Sequence, residues 1–129
     1  MEINLKKLAK KFGINSNRII FTIKSSQSEY FKLYKNVDLF LDTFPYNAHT
    51  TACDSLWSNV PILTRKGEAF ASRVCASILT ALKLPELICD NESDYENKAI
   101  RLALDSKKFS AVKEKLKKNN LPSKLNLQI

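Results

Sequence analysis

"VDLFLDTFPYNAHTTACDSLWSNVPILT", residues 37–64, holds two short apolar runs separated by a polar loop and a segment of helical character. "VDLFLD" (37–42) and "VPILT" (60–64) read as strands; "LFL" (39–41), like "RIIF" (18–21) upstream, is a continuous apolar run rather than an alternating one, the pattern of a central strand covered on both faces. "TTACDSLWSN" (50–59) reads as a short helix between them. Strand, helix, strand in that order is a βαβ unit, whose two strands run parallel. The loop at its centre carries His49, the only histidine of the chain, followed by Thr50, Thr51 and, shortly after, Asp54.

The alternation continues in both directions. Upstream, Ile3, Leu5, Leu8 and Phe12 fall at roughly helical spacing, with Gly13 placed to end the helix. "RIIFTI" (18–23) is a β-branched run that reads as a buried strand, and "SSQSEYFKLYKN" (25–36) as a helix opened by capping serines. Downstream, "KGEAFASRVCASILTALK" (66–83) has one broad apolar face and "ELIC" (86–89) is a short strand. Asp90 or Asn91 caps the next helix and Ser106 the last, which carries Phe109, Val112 and Leu116. The expected fold class is α/β, with parallel strands near 18–23, 37–42, 60–64 and 86–89, helices on both faces and right-handed crossovers. The chain opens on a helix, and "NNLPSKLNLQI" (119–129) reads as an irregular tail. Residues 1–129 are thus expected to form a single, partial domain. An unfilled sheet edge in such a domain invites a second copy, so a homodimer is expected.

Composition narrows the class. Hydrophobic residues make up 44% and charged residues 26% of 129 residues, a globular balance. No run approaches the ~18 apolar residues that cross a bilayer. "MEINLKKLAKKFGINSNR" has neither the apolar segment nor the cleavage site of a secretory leader, so a cytoplasmic address without a membrane partner is expected. Cys53, Cys75 and Cys89, odd in number and each in apolar context, read as reduced, buried thiols. Cys53 lies four residues from His49, the one place where a thiol–imidazole nucleophile could be entertained. The net charge of +8 owes much to Lys107, Lys108, Lys113, Lys115, Lys117, Lys118 and Lys124 near the C-terminus. Such a helix is either a solvated face or a contact for nucleic acid or membrane. Aromatic residues are not interleaved with these lysines as a base-stacking platform requires, so nucleic acid is not the expected partner.

In open α/β sheets, ligands bind beyond the carboxyl ends of the strands, where helices begin. Residues 43–51 occupy that position. A helix starting near Thr50 would offer the free N–H groups of its first turn and its dipole to an anion. The hydroxyls of Thr50 and Thr51 add donors, His49 can donate to a phosphate or leaving-group oxygen, and Asp54 shares the face of Thr50. A carboxylate there would repel phosphate but accept from the hydroxyls of a ribose, so the set suits a nucleoside diphosphate. The alternative is a plain helix cap, with Thr50 as N-cap and Asp54 solvated. Only Gly13 and Gly67 are present, which leaves no glycine-rich dinucleotide or P-loop signature, and no metal-ligand cluster is visible.

"LDTFPYNAHTTACDSLW" (41–57) together with "GEAFASRV" (67–74) closely resembles the C-terminal catalytic lobe of the O-linked N-acetylglucosamine transferase family, SPINDLY-like members included. The similarity extends from about residue 3 to 118. The resemblance implies a Rossmann-like parallel sheet, the second lobe of a GT-B glycosyltransferase, lacking its first strand and final helix. It implies that His49, Thr50 and Thr51 bind the donor diphosphate, that Asp54 binds the ribose, and that Lys24, Ser25, Gln27 and Tyr30 surround the nucleotide base. Tyr30 stands where usual members have histidine, and Gln27 where animal members have lysine. Glu68 and Arg73 match the family and are read as structural, Glu68 in a first helical turn and Arg73 in an ion pair. The implied activity is inverting transfer of a sugar, N-acetylglucosamine, from a UDP-linked donor to serine or threonine of proteins, without metal or cofactor. Catalytic base and acceptor site would belong to other parts of the enzyme, so the isolated chain is expected to be inactive. The competing reading is a noncatalytic protein- or nucleic-acid-binding α/β module that uses its basic C-terminal helix.

Overall fold

The structure is a computed structural model that describes residues 1–119. The chain divides into two compact units, residues 1–30 and residues 31 onward, the division falling inside a helix. The tail expected over 119–129 lies outside the described residues, apart from Asn119, which ends the last helix.

The first unit opens with α1 (Glu2–Lys11). Gly13 stops it in the left-handed region at φ +75°, with Gly13 N–H donating to Lys10 O (3.0 Å) and Ile14 N–H to Ala9 O (2.9 Å). This pair of bonds is a Schellman stop. A 3-10 turn follows at Ser16–Arg18, whose Asn15 side chain accepts from Asn17 N–H. The strand expected at 18–23 is absent: residues 19–26 have no regular structure, and Ile20 and Ile23 are 83% and 88% exposed. β-branched composition suits a strand only when a neighbour takes its ladder bonds. Among the described residues no strand pairs with this run. Then α2 (Gln27–Leu33) begins, where Ser26 Oγ accepts from Glu29 N–H and the Glu29 carboxylate accepts from Ser26 N–H (both 3.3 Å). That reciprocal pair is a capping box, so the capping serine is Ser26.

The second unit contains the parallel sheet, in the order β1 (Phe40–Leu41), β2 (Ile62–Arg65), β3 (Ile88–Cys89). Phe40 pairs with Ile62 and Leu41 with Leu63; Thr64 pairs with Ile88 and Arg65 with Cys89. β2 and β3 begin later than their apolar runs because Pro61 has no N–H to donate and Pro85 opens a 3-10 turn through Leu87. In β2, Ile62, Leu63 and Thr64 are fully buried, as a strand covered on both faces should be. β1 departs from the same expectation. It is the edge of the described sheet, and Leu41 is 53% exposed.

Helices α3 (Thr50–Trp57) and α4 (Val74–Ala81) connect successive strands. They cover the face of Ile62 and Thr64, where the Cys75 thiol lies against Thr64 and Asp42 and near Cys53 of α3. The opposite face carries α5 (Glu92–Leu104), since Arg65 pairs with Glu92, and Cys89, its partner in register, neighbours Lys98 and Asp94. α6 (Ser106–Asn119) adds Val112 and Leu116 to a core of Leu56, Ile62, Leu63, Leu79, Leu84 and Leu87. Schellman stops recur after α3, where Asn59 takes φ 60°, and after α4, where Lys83 takes φ 58°. Asn91 caps α5 by accepting from Asp94 N–H at 2.8 Å. α6 is capped by Asp105 rather than Ser106, its carboxylate accepting from the N–H groups of Lys107 and Lys108 (both 3.1 Å).

Candidate functional site

The candidate site is organised by one residue. Asp42 follows β1 and is 6% exposed. Its Oδ1 accepts from Thr43 N–H (2.9 Å) and Ala48 N–H (2.8 Å), and its Oδ2 accepts from the Thr64 hydroxyl (2.7 Å). Tyr95 of α5 donates to its main-chain carbonyl at 2.9 Å. A buried carboxylate is tolerable when its lone pairs are met in this way. The bonds to residues 43 and 48 close the intervening loop upon itself.

Asn47 fixes the same loop from the other side. It is 1% exposed; its amide donates to Thr43 O (2.9 Å) and Arg65 O (3.4 Å), and its main-chain N–H to Ala71 O (2.9 Å). Thr43 Oγ1 donates to Tyr46 O at 2.7 Å, and the Phe44–Pro45 peptide is cis. The fold of residues 67–73 supplies the wall that Asn47 meets. Gly67 N–H donates to Ser72 O (2.8 Å), Ser72 Oγ donates to Ala69 O (2.9 Å), and a 3-10 turn runs from Phe70 to Ser72. That turn delays the helix expected from residue 66 until Val74. Glu68 therefore precedes the turn instead of opening a helix, and Arg73 sits at the N-cap of α4. Neither makes an ion pair among the described residues, which corrects the roles expected of them.

With the loop so held, α3 begins at Thr50. The N-cap position belongs to His49 (φ −107°, ψ −90°), and no side chain caps the helix. Thr50 is thus the first helical residue and not the N-cap that a purely capping role assigned to it. Ala52 and Cys53 donate to His49 O at 3.2 and 3.3 Å. The N–H groups of Thr50 and Thr51 precede any possible intrahelical acceptor. No acidic side chain occupies the first turn. Tyr34 braces this turn from behind, its hydroxyl donating to Thr51 O at 3.5 Å.

A cleft of about 510 Å³ opens here, with Asp42, Tyr46, Asn47, His49, Thr50 and Thr51 in its walls. Both threonines are exposed. The His49 ring stacks on Tyr46 (5.0 Å, 17°) and meets the edge of Phe70 (6.4 Å, 85°). Its Nε2 is buried without a hydrogen-bond partner. Asp54 is half-buried on the next turn of α3. Of the residues singled out by sequence, His49, Thr50 and Thr51 come together in the cleft, with Asp54 on the same helix. Lys24, Ser25, Gln27 and Tyr30 belong to the first unit, on the loop and first turn of α2, with Lys24, Ser25 and Gln27 exposed and Tyr30 half-buried.

Sequence reasoning passed over Asp42, Asn47 and Tyr46. An acid closing an apolar strand just ahead of a loop was the available signal for Asp42. Its charge is felt nearby: burial, then Asp42, push the Cys75 thiol up to about 12 and the Tyr95 phenol up to about 12. Burial pushes Cys89 up to about 11. The three cysteines are unbonded, with Cys75 and Cys89 buried and Cys53 half-buried. Among the described residues no group of His, Cys, Asp and Glu is placed to hold a metal, and no helix is long and apolar enough to cross a membrane.

A family model described as glycosyl transferase family 41 matches residues 1–128. The chain is 33% identical over 115 residues to a UDP-N-acetylglucosamine–peptide N-acetylglucosaminyltransferase of Caenorhabditis elegans, covering 89% of this chain and 10% of that protein. It is 32% identical over 108 residues to the probable UDP-N-acetylglucosamine–peptide N-acetylglucosaminyltransferase SPINDLY of Arabidopsis thaliana, covering 83% of this chain and 12% of the relative. Among solved structures, an O-GlcNAc transferase variant of Thermobaculum terrenum superimposes with a TM-score of 0.85 at 26% identity, over 92% of this chain and 23% of that one. The chain spans about a tenth of the length of these curated relatives.

Proposed function

The chain belongs to glycosyl transferase family 41, with the α/β fold of part of a GT-B enzyme, and from that premise we propose that its cleft seats the nucleoside diphosphate of a sugar donor. The observation that carries this reading is the start of α3. The N–H groups of Thr50 and Thr51 have no intrahelical acceptor, no side chain caps them, and they begin a helix at the wall of a cleft at the carboxyl end of β1. Donors and dipole in that arrangement favour an anion. The pyrophosphate lies on this first turn, within reach of the threonine hydroxyls and the His49 imidazole. Asp54 accepts from the ribose. Helix N–H groups and side chains stabilise the leaving diphosphate without metal.

In the whole enzyme the reaction is transfer of N-acetylglucosamine from a UDP-linked donor to serine or threonine of proteins. Support for it comes from the family and from the relatives' activities. By itself the chain transfers no sugar, because a cleft without acceptor alignment forgoes several kcal/mol of barrier reduction.

The test is NMR shift mapping of the full chain with UDP and GDP. Affinity on the order of 0.1–1 mM is expected, equivalent to about 4–5.5 kcal/mol. Charge-assisted hydrogen bonds are worth about 1.5–3 kcal/mol each, so His49→Ala and Asp54→Ala weaken binding roughly tenfold or more. Cys53→Ser changes it little. Silence at residues 47–54, with the largest shifts at residues 107–118, would refute the proposal and transfer recognition to the basic helix.

A further inference from the structure

A second recess, away from the cleft at α3, lies where α5 packs against α6. It encloses about 300 Å³. Its apolar lining comes from Leu87, Leu102, Ala111 and Val112, of which Leu87 and Val112 are buried core residues. Two other walls carry charges already committed. The Glu86 carboxylate accepts from Lys115 Nζ at 3.0 and 3.1 Å, and Lys98 Nζ donates to Ile88 O (3.3 Å) while pairing with Asp94 (3.6 Å).

What remains at the rim is cationic. Arg101 and Lys108 are exposed, line the recess, and make no ion pair among the described residues. An apolar floor under two uncommitted cations is complementary to a ligand with an apolar body and an anionic head. Its volume, at the small end of ligand pockets, excludes a docked helix or a long lipid, each of which needs a groove running several turns. We propose that the α5–α6 recess binds a small amphiphilic carboxylate, with its short acyl chain or single ring on Leu102 and Val112 and its head group against Arg101 and Lys108. The site uses lysine-rich sequence that the donor cleft leaves unexplained, and it stands whether or not nucleotide binds there.

Titration of the full 129-residue chain with octanoate, and with octan-1-ol as its neutral counterpart, tests the proposal by amide shift mapping. Both probes should move resonances between residues 98 and 112, octanoate at lower concentration, and only octanoate should weaken in high salt. Arg101→Gln and Lys108→Gln should each weaken octanoate about two- to fivefold while leaving octan-1-ol unchanged. Ala111→Phe, at an exposed position on the lining, should fill the recess and abolish both. Equal affinity for the two probes, octanoate affinity unchanged in both glutamine variants, or shifts confined to other parts of the chain would overturn it.

Discussion

Replacing Asp42 is the sharpest test of how the cleft is built. Asp42→Ala removes the acceptor for Thr43 N–H, Ala48 N–H and the Thr64 hydroxyl together. A buried donor left unsatisfied costs about 1–3 kcal/mol, but the losses do not simply add, and deleting a buried charge also removes its desolvation cost. The net expectation is a loss of about 2–4 kcal/mol, a large part of a typical domain's 5–15 kcal/mol. Asp42→Asn keeps one oxygen for the two N–H groups and obliges the Thr64 hydroxyl to turn round and accept, so about 1–2 kcal/mol is expected. Thr64→Val removes the hydroxyl from which Oδ2 accepts and should cost a similar amount. Because Asp42 and Thr64 share a bond, the double variant should lose less than the sum of the single losses, with a coupling of about 0.5–3 kcal/mol. Urea unfolding followed by circular dichroism measures all four, with m unchanged if compactness is unchanged. Hydrogen exchange at the Ala48 amide gives a local readout, since that N–H should lose protection in Asp42→Ala. Additive losses, or an Asp42→Ala variant within about 0.5 kcal/mol of the parent, would refute the claim that Asp42 closes the loop.

The remaining predictions concern pH and backbone. Cys75 and Tyr95, raised to about 12 from 9.0 and 10.0, and Cys89, raised to about 11 from 9.0, are held neutral by the fold. Their contribution is complete below pH 9 and is lost as pH rises from 9 toward 12, because the unfolded chain gives up those protons first. Urea midpoints should therefore fall steeply above pH 9, and less steeply in Cys75→Ala. Lys83 occupies φ 58°, where a residue with a Cβ is strained by about 1–2 kcal/mol. Lys83→Gly should raise stability by about 0.5 kcal/mol after its larger unfolded-state entropy is counted, read as a higher thermal midpoint. A Cβ at Gly67 would lie 2.5 Å from Ser72 Oγ, 2.9 Å from Ser72 Cβ and 3.0 Å from the Phe44 ring. Gly67→Ala should thus cost about 1–3 kcal/mol, visible in the same melts, and Ser72→Gly should partly relieve it.

The parallel α/β core could be read from residues 37–64 because both of its signals are local: short apolar runs mark strands, and their separation by a short helix dictates parallel pairing. The position of His49, Thr50 and Thr51 at the head of α3 followed from the same pattern. "RIIFTI" could not be judged in this way. Its composition suits a strand, but strand formation depends on a partner distant in sequence, and composition says nothing of who that partner is. Asp42 was hidden for a related reason, since its donors lie at residues 43, 48 and 64, and only the folded loop brings them to one carboxylate. The caps were legible as a class and ambiguous in detail. Asp105 and Ser106 are both good cap residues one position apart, and the geometry of the α5–α6 corner selects Asp105. For α4, helical periodicity extends back through residue 70, and the close approach of Gly67 to Ser72 interrupts it.

The placement of Asp42 also bears on turnover. On the proposed reading, the cleft that receives a diphosphate has a carboxylate built into its wall, and that carboxylate cannot be swung aside because it holds the loop together. In a partly desolvated site, repulsion between like charges is stronger than in water. The fixed charge therefore sets a ceiling on how tightly the free diphosphate can be held once its sugar has left. Product release limits the rate of many enzymes, and a site whose own scaffold opposes accumulating negative charge favours letting the product go.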